Sequence, residues 1–128
     1  MALLADAMVG AVSTRAKGNA APAWVAAYLA PWWPDAEKTP NGRPGRDLEN
    51  TPGVAWEVKT GAEWRPKAWT RQAEGYPVRG ELGVLLYLPP GFGERSVGES
   101  LCIVRTRLLM PVLVEAGYAP PPRPPECG

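Results

Sequence analysis

The chain contains no histidine, and it has only two cysteines and one phenylalanine among its 128 residues. Without histidine, Ser-His and Cys-His catalysis are excluded, and so are zinc sites of the usual Cys/His kind. Cys102 and Cys127 form no CxxC pair, and the sparse cysteine suits a reducing cytoplasm better than a disulfide framework. Long apolar runs are missing too. The apolar start, Met1 to Val12, has no basic region before it, and no later run reaches the roughly 18 residues a membrane span needs. A soluble, cytoplasmic protein with no membrane partner is therefore expected. Charge of one sign is also lacking: the net charge is +1, so no polyanionic partner is demanded overall. Any hydrolytic chemistry must come from carboxylates, lysine or a hard metal ion.

What is present suits a folded domain. Hydrophobic residues make up 45% of the chain, and the length fits one domain, residues 1–118, followed by a proline-rich tail at 119–128. Basic residues gather between Arg43 and Arg79, including Arg46, Lys59, Arg65, Lys67 and Arg71. Such a strip can follow a phosphate backbone, although for charge alone an ordinary solvated face is the better account.

Apolar spacing predicts helices from Leu3 to Val12 and from Pro22 to Ala30, with a polar break at Ser13 to Asn19. Asp35 to Arg46 reads as loop with a short edge strand near Ala36. After the Thr51-Pro52-Gly53 turn, Val54 to Lys59 reads as a strand, and Arg65 to Glu74 as a helix with Trp69, Ala73 and Tyr76 on its apolar face. Strands at Leu82 to Leu88 and Ser100 to Arg105 follow, then a helix within Leu108 to Ala116 that Pro111 should start near Leu109. This interleaving of helices and strands predicts an α/β domain, a mixed central sheet flanked by helices.

The strand at Val54 to Lys59 carries the chemistry. Side chains alternate across a strand, so Val54, Trp56 and Val58 face one way, while Ala55, Glu57 and Lys59 face the other. A carboxylate and an ammonium thus share one spot, with small Ala55 leaving room beside them. Asp47, ten residues before Glu57, is far enough away in sequence for a turn to bring its carboxylate alongside. Two carboxylates and the Val58 carbonyl form a hard-oxygen donor set suited to Mg²⁺ or Mn²⁺. A lysine beside such a site can position a water or stabilise charge on a phosphate. Glu-x-Lys on a strand is commonly just a solvated pair. Here the strand is otherwise apolar, so a charged face within it needs a reason.

The segment Arg46 to Glu74 resembles the bacteriophage and actinobacterial Holliday junction resolvases of the PD-(D/E)xK superfamily. Asp47-Leu48, Pro52-Gly53, Glu57-Val58-Lys59 and Gln72-Ala73-Glu74 stand in that group's order. The resemblance implies a restriction-endonuclease-like fold, metal binding by Asp47 and Glu57, and assistance to the attacking water by Lys59. It also implies that Gln72 approaches the site from the helix. The implied partner is branched DNA, met by a homodimer, with Arg46, Arg65, Lys67 and Arg71 along the DNA path; a phage-encoded protein would act in its host cell. The group's first helix usually adds a glutamate after a Lys-Gly pair, but Lys17-Gly18-Asn19-Ala20-Ala21-Pro22 carries no acid. Asp35 or Glu37 is expected to replace it; otherwise the site has one ligand fewer or the activity is lost. Duplex-cutting nucleases and non-catalytic DNA-binding proteins on the same scaffold are the alternatives. Trp24, Trp32 and Trp33 read as core or interface packing, Trp32 and Trp33 with the Leu108 to Val114 helix offering a dimer face, whereas Trp64 beside Arg65 and Lys67 suits base stacking.

Overall fold

The computed structural model describes residues 14–75, 77 and 80–124. The expected helix at Leu3 to Val12, and Tyr76, Arg79 and Cys127, lie outside them. The chain folds as α1 (Thr14–Leu29), β1 (Glu37–Lys38), β2 (Leu48–Glu49), β3 (Val54–Thr60), α2 (Pro66–Glu74), β4 (Leu82–Leu88), a 3₁₀ segment (Glu94–Glu99), β5 (Leu101–Ile103) and α3 (Thr106–Glu115). It is a mixed α/β arrangement with two sheets.

The larger sheet is ordered β3-β4-β5. β3 and β4 run parallel, from Val54 opposite Leu82 to Thr60 opposite Leu88, and β5 returns antiparallel along Leu85 to Tyr87. β4 is buried from Gly83 to Leu88, which explains its near-continuous apolar sequence: a central strand covered on both faces shows no alternation. β1 and β2 form a small antiparallel pair. The core lies on one face of the large sheet, where Ala21, Val25 and Ala26 of α1 meet Trp56, Val58, Val84, Leu86 and Leu88. α2 covers the opposite face, against β3 and β4.

Two prolines depart from the sequence expectation for one reason. α1 is continuous through Pro22 and starts well before it, so Ser13 to Asn19 is no break from Thr14 onward. α3 likewise starts at Thr106 and contains Pro111. An interior proline removes a hydrogen bond and crowds the preceding turn, at about 3 kcal/mol. In α1 the burial of Ala21, Val25 and Ala26 offsets that cost. In α2, by contrast, Pro66 stands in the first turn, where its missing N–H costs nothing.

Gly83 sets the distance between α2 and the sheet. A Cβ there would lie 3.0 Å from the Ala73 carbonyl oxygen and 3.1 Å from Pro77 Cγ. Gly83→Val should therefore push the helix off β4 and lower stability by about 1–3 kcal/mol. A shift in the urea midpoint at unchanged slope would measure it; an unchanged midpoint would show that α2 is not held this closely.

Candidate functional site

β3 places Glu57 and Lys59 on the face away from the α1 core, as the alternation predicts. Lys59 Nζ stands 3.1 Å from Glu57 Oε1. Glu57 is only 2% exposed, and its second oxygen, Oε2, is buried without a hydrogen-bond partner. Trp56 Nε1 shares that condition, but Trp56 belongs to the core on the opposite face. An unsatisfied buried carboxylate oxygen is costly, so a protein that keeps one keeps it for a ligand or a proton.

Asp47 reaches the site by a device that spacing alone does not reveal. Its backbone N–H donates to the Trp56 carbonyl at 3.1 Å, and its own carbonyl accepts from Thr39 N–H at 2.9 Å. Its carboxylate Oδ2 then accepts from Val58 N–H at 2.7 Å, replacing a strand partner on the open edge of β3. In an extended strand the N–H and C=O of one residue point to the same side. The Val58 carbonyl is therefore turned towards the Asp47 edge, as a backbone ligand would have to be.

The electrostatics follow from this geometry. Glu57 is pushed up from 4.5 to about 7, chiefly by burial and also by the Asp47 charge, with Lys59 acting in the opposite sense. Burial also raises Asp47, against the Val58 hydrogen bond and Lys59. Two carboxylates strained towards protonation beside one ammonium form a site that would gain from a cation. The donors fit a hard divalent ion: Asp47, Glu57 with its unpartnered oxygen, and the Val58 carbonyl.

A stability consequence can be measured without metal. A carboxyl raised from 4.5 to about 7 binds its proton more tightly when folded. Its stabilising contribution is complete below 4.5 and is lost as pH rises through 7, on the order of 3 kcal/mol in total. Chelator-treated protein should therefore melt at progressively lower temperature between pH 5 and 7.5. Glu57→Gln should flatten that decline, and an equal decline in both proteins would refute the assignment to Glu57.

The other expected residues fall in several places. Arg46 is committed to Glu81, with guanidinium–carboxylate distances of 2.7 and 3.0 Å, and fastens the segment before Asp47 to the start of β4. Arg65, Lys67 and Arg71 are exposed on and before α2, with Arg65 paired to Glu63 at 2.5 Å. Gln72 is exposed on α2. Asp35 and Glu37 do not complete the shell. The Asn50 amide donates to the Asp35 carbonyl at 3.1 Å and to the Glu37 carboxylate at 3.3 Å. Among the described residues no group of three potential ligands assembles; a β1 strand that pairs Glu37 opposite Glu49 draws it to the outer end of the small sheet.

Two features escaped the sequence reading. The loop after β1 encloses a cavity of about 220 Å³ beside Asp47, lined among others by Lys38, Asn41, Arg43 and Pro22 of α1. Arg43 also pairs with Glu49. The only hint was the concentration of glycine, proline and arginine in that stretch. The second feature is a ring cluster of Trp64, Trp69 and Tyr87 at the end of β3 and β4.

No protein-family model, curated protein or solved structure matches this chain.

Proposed function

We propose that the chain is a metal-dependent endodeoxyribonuclease with a PD-(D/E)xK, restriction-endonuclease-like core that acts on branched DNA. The observation that carries this reading is Glu57: a buried carboxylate with one unpartnered oxygen, beside Lys59 and near enough to Asp47 to feel its charge. A Mg²⁺ or Mn²⁺ ion bound there supplies an activated water and neutralises charge on the phosphate. Asp47, Glu57 and the Val58 carbonyl would hold that ion. Lys59 contributes its ammonium to the phosphate oxygens as their charge grows, an electrostatic role that needs no proton transfer. Trp56 and Thr39 hold the Asp47 backbone from either side, so the donors are set before the substrate arrives. The cationic cavity with Lys38 and Arg43 offers a place for a neighbouring phosphate.

The choice of branched DNA and a homodimer follows from the resemblance, because a junction needs two matched cuts and a two-fold dimer supplies them. α3 suits such an interface: it buries none of its residues and exposes Leu109, Met110 and Val112. Trp32, 64% exposed, adds to this surface inventory. Trp33 does not, because it packs edge-on against Trp56 and donates to the Pro52 carbonyl. Among the described residues, no helix is long and apolar enough to cross a membrane.

Cleavage of a labelled four-way junction should exceed that of matched linear duplex, and sedimentation at micromolar concentration should show a dimer. Equal cleavage of both DNAs by a monomer would replace the resolvase reading with a duplex-cutting one. Two acids rather than three among the described residues favour, as a second reading, a DNA-binding protein that keeps the scaffold without cutting. DNA binding with no metal uptake would select it.

A further inference from the structure

Trp64 is large, apolar and 49% exposed, yet it is not loosely held. Its ring centroid lies 4.8 Å from that of Tyr87 and 5.8 Å from that of Trp69, the latter pair perpendicular at 89°. Tyr87 is itself buried, and its hydroxyl donates to the Gly61 carbonyl at 2.5 Å, tying down the loop that leads from β3 to Trp64. Two rings and a pinned loop therefore fix the indole while leaving half of it in solvent. Burial alone would not require that arrangement.

Its position relative to the candidate site is as informative. Tyr87 is the register partner of Lys59 across β3 and β4, so both side chains rise from the sheet face that carries Glu57. The ring cluster thus begins one strand away from the lysine that would meet the phosphate. Arg65 follows Trp64 directly, and Lys67 and Arg71 stand exposed one turn apart on α2. Beyond them a cleft of about 540 Å³ opens between α2 and the β5–α3 junction, lined among others by Lys67, Arg105 and Arg107. Arg65 is paired to Glu63, and Arg105 and Arg107 share Glu74, so cations still outnumber acids around the indole and its cleft, with Lys67 and Arg71 exposed. A fixed indole in such surroundings matches the requirements of single-stranded nucleic acid: a face for a base and charge for its phosphates. A base inside a duplex has both faces covered by its neighbours and cannot use such a surface.

We propose, on the basis of the nuclease reading above, that Trp64 stacks on an unpaired nucleobase next to the scissile phosphate. The enzyme then selects DNA whose bases leave the duplex beside the cut. Phenylalanine would keep an aromatic face at position 64, whereas leucine would keep apolar bulk without one; neither change deletes the packing against Tyr87 and Trp69.

The test compares wild type, Trp64→Phe and Trp64→Leu for binding to a labelled duplex with a single-stranded flap and to the same duplex fully paired, in chelator to prevent cutting. Trp64→Leu should weaken flap binding about tenfold or more, with duplex affinity within about twofold, while Trp64→Phe should keep most of the flap preference. If wild type binds DNA but Trp64→Leu loses nothing, or loses both substrates equally, the stacking role is overturned and the nuclease reading stands. Wild type that binds neither DNA overturns both.

Discussion

Glu57→Gln should lower DNA cleavage by about a hundredfold or more, and at pH 8 without metal the variant should melt higher than the wild type. The two effects share one cause. The wild-type carboxylate is buried, keeps an oxygen without a partner and feels Asp47. In metal-free protein above pH 7 that charge is a burden, and a neutral amide of the same shape relieves it. The price is a lost metal ligand. A purely structural Glu57, present only to pair with Lys59 at 3.1 Å, predicts the reverse: less stability and no loss of cleavage, since none would exist. Asp47→Asn should also lose cleavage, but its stability should change less, because an amide oxygen can still accept the Val58 N–H bond. Lys59→Ala should lose cleavage while leaving metal binding in place.

Mg²⁺ or Mn²⁺ at a hundred times its dissociation constant should stabilise the wild type by about 2.7 kcal/mol. For a domain of this size that is a rise in melting temperature on the order of 8–10 °C. The same ion should leave Glu57→Gln nearly unmoved. The effect should grow as pH rises through 7, because the ion competes with the protons that burial favours on Glu57 and Asp47. Equal stabilisation of wild type and Glu57→Gln would place the ion elsewhere.

Much of the site's frame was legible because it depends on short-range periodicity. The alternation from Val54 to Lys59 separates Trp56 and Val58 from Glu57 and Lys59, and the structure keeps that division. The apolar run Leu82 to Leu88 announced a strand buried on both faces. Local signals failed where a distant partner decides the outcome. Pro22 and Pro111 read as helix boundaries and sit inside helices. Trp32 and Trp33 are adjacent and chemically identical, yet one is exposed and the other packs on Trp56. The capture of Asp47 by Val58 N–H and of Arg46 by Glu81 depends on which edge of β3 lies open. The Trp64 cluster depends on the parallel register that sets Tyr87 opposite Lys59. No spacing within a single segment encodes either.

The most direct test is cleavage of an end-labelled four-way junction by the purified wild-type chain, in parallel with Glu57→Gln, in Mg²⁺ and in excess chelator. Cleavage by the wild type in Mg²⁺, abolished both by chelator and by the substitution, is the predicted result. Cleavage that survives chelator, or that Glu57→Gln carries out at the wild-type rate, would contradict a metal site built on Asp47, Glu57 and Lys59.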